Sequence, residues 1–128
     1  MSHCRFVVLS AVLAGVAYAW PGDSAWSVIS APLDPERLIH GVAWDPVEDK
    51  IYLYGGIRNW VHYTGRELLD CYDPRSATWE RMNHMVRRRA GIKGIYCRGK
   101  LYALGGWQLY FGVLTASCEA YDIERRRW

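Results

Sequence analysis

Short apolar runs closed by polar turns organise this chain. Lys50-Ile-Tyr-Leu-Tyr-Gly-Gly56 is one such run, and Lys100-Leu-Tyr-Ala-Leu-Gly-Gly106 repeats it 50 positions later without a gap. Four or five β-prone residues ahead of two glycines predict a strand that ends in a sharp turn. Glycine allows backbone angles and close approaches that a Cβ would block. Further along, Leu69-Asp-Cys-Tyr-Asp-Pro74 recurs as Ser117-Cys-Glu-Ala-Tyr-Asp-Ile123, with Tyr72-Asp73 matching Tyr121-Asp122 and Trp79 matching Trp128 at offset 49. Upstream, Gly41-Val-Ala-Trp44 is matched with Gly91-Ile-Lys-Gly94. No helical period of 3.6 rises through these segments.

The repeat predicts an all-β chain built from copies of a four-stranded antiparallel unit. Strand A is expected over 40–44 and 90–95. Strand B runs into each Gly-Gly, strand C into each Tyr-Asp, and strand D starts at each Trp. Residues 37–86 form one unit and 87–128 an incomplete second one, which stops at the first position of its strand D. Residues 20–36 read as a partial unit, with strand D over 26–30 and a proline-bearing D–A loop, since proline excludes ladder pairing. A four-stranded meander alternates its loops between the two ends of the sheet. The A–B and C–D turns therefore share one end, and the longer B–C and D–A loops share the other.

These motifs resemble the kelch repeat, the blade unit of a kelch β-propeller. The resemblance rests on Gly55-Gly56 and Gly105-Gly106, on the paired Tyr-Asp, and on the tryptophan seven residues after each tyrosine. The spacing Trp79-x5-Met85-x3-Arg89-x-Gly91 is similar to that of kelch-like adaptor proteins, and the likeness covers roughly residues 26–128. Three positions depart from the pattern. Ile39 stands where the counterpart of Arg89 is expected, Ile123 replaces the proline after Tyr-Asp, and Pro32 takes the place of the counterpart of Met85. The resemblance implies a partial propeller of about two four-stranded blades plus an N-terminal strand. Propellers usually have about 4–8 blades, so further blades from a longer chain are expected.

Residues 1–19 admit more than one reading. A basic start, an apolar stretch over 6–16 and Ala17-Tyr18-Ala19 have the form of a cleaved secretory signal. The stretch is too short to span a bilayer, for which about 20 apolar residues are needed. Alternatively, Val16-Ala-Tyr18 and Pro21 to Trp26 read as a degenerate strand C, turn and strand D, and a wrongly assigned gene start is a third reading. Localisation divides accordingly: cytoplasmic for a kelch-like adaptor, secreted if the signal is cleaved.

Composition adds bounds. Net charge is +3 in 128 residues, too mild to imply nucleic acid, and Arg87-Arg88 and the triplet 125–127 are short enough to be solvated turns. The seven Trp and nine Tyr suit packed sheets. Cys4, Cys71, Cys97 and Cys118 lack a C-x2-C spacing, so no zinc site is expected. Loss of Cys4 with a signal would leave an odd count. His3, His40, His62 and His84 are scattered, and there is no nucleophile elbow, phosphate loop or HExxH. No cofactor and no catalysis are expected.

The candidate chemistry therefore lies at the B–C and D–A end. Arg58, Trp60, His62, Tyr63 and Arg66 in one B–C loop, and Trp107, Tyr110 and Phe111 in the next, are residue types that dominate protein interfaces. The kelch-like resemblance adds Arg89, expected at the rim beside the central channel where its planar fork would meet acidic groups of a partner. Gly55, Gly56, Tyr72, Trp79, Gly105, Gly106, Tyr121 and Trp128 are assigned to structure. The function implied is a non-catalytic protein-binding module, of the sort that captures substrates for a cullin ubiquitin ligase or binds actin, with an acidic peptide or actin as partner. A secreted kelch protein mediating cell-surface contacts is the alternative, and a propeller enzyme resembling galactose oxidase the third reading.

Overall fold

The computed structural model describes residues 17–18, 27–28, 33, 37–58, 64–108 and 113–128. Among them there is no helix. Nine strands form three antiparallel sheets. The first sheet holds only β1 (Ala17–Tyr18) and β2 (Ser27–Val28), with Tyr18 opposite Ser27 and Ala17 opposite Val28. The second is a meander of β3 (Gly41–Asp45), β4 (Lys50–Tyr54), β5 (Leu69–Asp73) and β6 (Thr78–Arg81). The third repeats that order with β7 (Lys93–Cys97), β8 (Lys100–Leu104) and β9 (Cys118–Asp122). A single bridge from Asp122 to Arg127 stands in the place of its fourth strand.

The two larger sheets are copies, but their first strands match at offset 52 rather than 50. The turn between β3 and β4 takes four residues, 46–49, while that between β7 and β8 takes two, Arg98 and Gly99. Strand A of the second unit therefore begins later than its expected 90–95. Gly41 corresponds to Lys93, and the match of Gly41-Val-Ala-Trp44 with Gly91-Ile-Lys-Gly94 is displaced by two residues. In the corrected frame Arg37 is the counterpart of Arg89. Ile39 is the counterpart of Gly91, and both adopt positive φ, 46° and 63°. A β-branched residue there carries real strain.

The paired glycines act alike in both units. Gly56 and Gly106 have φ of 96° and 91°, and a Cβ on either would fall 2.6 Å from the Leu38 carbonyl oxygen or 2.4 Å from that of Ala90. Glycine thus lets the end of strand B lie against the segment leading into strand A. There Leu38 bridges Ile57 and Ala90 bridges Trp107.

The core lies between the two sheets. Ala43, Tyr52, Tyr54, Leu69 and Cys71 face Ile92, Leu101, Ala103 and Tyr121, with Met82 and Met85 closing the edge. Tyr54 reaches across the seam: its hydroxyl donates to the Tyr102 carbonyl at 3.0 Å and accepts from the Ile95 amide at 3.1 Å. Ile51, Leu53 and Tyr72 occupy the other face of the first sheet, packed with Val42 and Trp79. The tyrosine and tryptophan of each unit meet, with Tyr72–Trp79 centroids 4.9 Å apart and Tyr121–Trp128 centroids 5.3 Å apart.

Candidate functional site at the loop end

The loops between strands B and C interlock at one end of the sheets. Arg66 accepts the Arg89 amide on its carbonyl at 3.1 Å, and Gly65 donates its amide to the Gln108 carbonyl, also at 3.1 Å. The first B–C loop is thus tied to both the D–A segment and the B–C loop of the second unit. Gly65 leaves room for this, since a Cβ there would lie 2.8 Å from the Cα of Arg89.

Of the residues expected to bind, Arg58 is exposed and Arg66 is half-buried. With Thr64, Gly65, Glu67, Leu68 and Arg88 they line a hollow of about 250 Å³. Arg88, read from sequence as part of a solvated turn, borders it and pairs with Glu67 at 2.8 Å. Burial, and then the neighbouring charge of Arg81, lower the pKa of Arg66, against the carboxylates of Glu67 and Asp70. Trp107 is half-buried and rests its six-membered ring against Gly91. Trp60, His62, Tyr63, Tyr110 and Phe111 lie outside the described residues.

Arg89 is not at an open rim. It is 0% exposed, and its guanidinium points inward. Nη1 donates to the carbonyls of Gly105 and Ser117, at 3.0 and 2.8 Å, while Nη2 donates to Ser117 Oγ at 3.0 Å and Glu119 Oε1 at 2.5 Å. A buried arginine requires such pairing, because an uncompensated charge in the interior is costly. Arg37 does the same in the first unit. It donates to the Leu53 carbonyl at 3.1 Å and to Asp70 Oδ2 at 2.5 Å, and Arg81 pairs with the other oxygen of Asp70. Asp70 and Glu119 sit at offset 49, on equivalent strands, so an acid in strand C two residues before the tyrosine was a usable signal for the buried cation.

A larger cavity, about 500 Å³, opens between the sheets at the other end. Tyr52, Cys71 and Met82 border it, with Lys50, Glu80 and Arg126 among the charged residues around them. Burial pushes the Cys71 thiol up to about 11 and raises Tyr52 as well, so both stay protonated at neutral pH. Among the described residues, no group of three or more His, Cys, Asp or Glu is placed to hold a metal ion. No helix there is long and apolar enough to cross a membrane.

No family model matches the sequence. Curated relatives do. Kelch-like protein 23 of Mus musculus is 31% identical over 103 residues, covering 80% of this chain and 16% of the relative. Kelch-like protein 28 of Homo sapiens is 31% identical, covering 77% of this chain and 18% of the relative. Kelch repeat and BTB domain-containing protein 8 of Homo sapiens is also 31% identical, over 69% of this chain and 16% of its own length. The chain thus spans less than a fifth of these relatives. A solved fungal alcohol oxidase of the AA5 family, in complex with copper, superposes with a TM-score of 0.68 over 79% of this chain and 23% of its own. Identity to it is 15%, a likeness of fold alone. The doubled sheet unit, its paired glycines and these sequence relatives converge on one conclusion: the chain is a kelch-repeat polypeptide, all β among its described residues, with the fold of a partial β-propeller.

Proposed function

We propose that this chain is a non-catalytic protein-interaction unit of a kelch-type propeller, whose partner docks at the end carrying the B–C and D–A loops. The observation that carries the reading is the hollow that, among the described residues, Arg58, Arg66 and Arg88 line together with Glu67. Its volume suits a side chain rather than a folded domain, and its charge suits an acidic one. The planar fork of arginine is matched to carboxylate oxygens. The relatives are named kelch-like or kelch repeat and BTB domain-containing, which supports a kelch-type interaction unit. Arg89 holds the fold beneath this surface and does not meet the partner.

The test is binding of a fluorescein-labelled hexaglutamate peptide. It should bind, and weaken with salt. Joint replacement Arg58→Glu and Arg88→Glu should cut affinity at least about tenfold, with the melting temperature retained, as charge reversal at a complementary surface does. Equal binding of hexalysine, or no change in the double variant, would sink this reading.

A further inference from the structure

Glu119 lies on β9 with its side chain only 12% exposed, and donors from the crossover between the sheets converge on it. Its Oε2 accepts the Val86 amide at 2.8 Å. Its Oε1 accepts the Arg87 amide at 3.1 Å and Arg89 Nη2 at 2.5 Å. Two successive backbone N–H groups beside a guanidinium form an anion-holding concavity, and here the chain's own carboxylate fills it. Between the anchored residues stands Arg88, whose exposed side chain borders the hollow and meets Glu67. Asp70, the equivalent acid of the first sheet, is shorter by one methylene and takes Arg37 and Arg81 instead.

We propose that Glu119 is a positioning residue for the loop end: its carboxylate sets the course of residues 86–89 and so the place from which Arg88 reaches the hollow. The consequence for binding rests on the function proposed above, whereas the anchoring itself does not. Three forms of the 128-residue chain separate the two: wild type, Glu119→Gln and Glu119→Ala. Amide hydrogen exchange, read residue by residue, should show Val86 and Arg87 protected in the wild type. Glu119→Ala should speed both at least tenfold while amides of β8 and β9 hold their rates. Glu119→Gln, which keeps one acceptor oxygen, should fall between.

Unprotected Val86 and Arg87 amides in the wild type would overturn the proposal, even if the alanine variant fails to fold. So would equal rates in wild type and the glutamine variant. With hexaglutamate as probe, Glu119→Gln should weaken binding at least threefold. Unchanged affinity alongside opened amides would overturn the positioning of Arg88. A wild type that binds no hexaglutamate would refute the binding reading alone, and the exchange rates would then decide the anchoring.

Discussion

The two large sheets bury the same cation in the same place and neutralise it differently. Arg37 shares Asp70 with Arg81, so two arginines divide one carboxylate. Arg89 meets Glu119, which otherwise binds loop amides and, among the described residues, has no second arginine. The first arrangement joins the segment leading into β3 to β5 and, through Arg81, to β6. The second makes the same tie through Arg89 and adds the crossover's own amides at Val86 and Arg87. Cover differs too. Ala43, Tyr52, Tyr54, Leu69 and Cys71 are buried beneath the next sheet, while their counterparts Ile95, Tyr102, Leu104, Cys118 and Ala120 are exposed or half-buried. Burial in this architecture is thus conferred by the following unit rather than by the unit's own residues.

The sharpest break of that comparison is removal of each arginine in turn. Arg89→Met leaves the half-buried Glu119 with only amide donors among the described residues, and should cost about 3–5 kcal/mol in urea unfolding. Arg37→Met leaves Asp70 still paired with Arg81 and should cost less, about 1–3 kcal/mol. Equal losses would mean that the second arginine on Asp70 compensates nothing.

Much of this fold could be read from residues, because its strongest signals are strictly local. Gly55-Gly56, Tyr72 and Trp79, with their copies Gly105-Gly106, Tyr121 and Trp128, fall where the repeat expects them, since each marks a turn or a packed pair within one unit. The site was less legible. Arg37 was hidden because a two-residue difference in the A–B turn moved the upstream frame, and an ungapped match set Ile39 against Arg89. The role of Arg89 turned on whether Glu119 lay beneath it, a long-range fact that spacing does not hold. Cys118 lies on the same face of strand C as Cys71 but is exposed, because pattern reports which face a residue is on and not whether another sheet covers it.

The seam itself offers the next test. Strands β3 and β7 lie so close that a Cβ on Gly94 would sit 2.2 Å from the carbonyl oxygen of Val42. That obstacle is backbone, which cannot rotate away. Gly94→Ala should therefore cost about 2–3 kcal/mol by the overpacking route. Gly99 is the control: nothing lies within 4 Å of its Cβ position, but its φ is 75°. There alanine meets only conformational strain, and about 1 kcal/mol is expected. A Gly94 loss no larger than that at Gly99 would show that the sheets can part without penalty.

The smallest effect tests the approach to strand A, where His40 in the first unit corresponds to Ile92 in the second. Burial, and then the charge of Arg37, lower His40 from 6.5 to about 4, and among the described residues its Nδ1 has no hydrogen-bond partner. The fold therefore favours the neutral imidazole. Between those two values the unfolded chain binds more protons than the folded one, so stability rises with pH across the window. The contribution is complete above pH 6.5 and fades as pH falls towards 4. Because His40 keeps partial solvent access, about 1 kcal/mol at pH 5 is the expected size after screening. His40→Ile, which installs the residue of the sister unit, should remove that slope while leaving unfolding at pH 8 nearly unchanged. A slope that persists in the variant would assign the acid sensitivity to another group, and the segments leading into β3 and β7 would then be electrostatically alike.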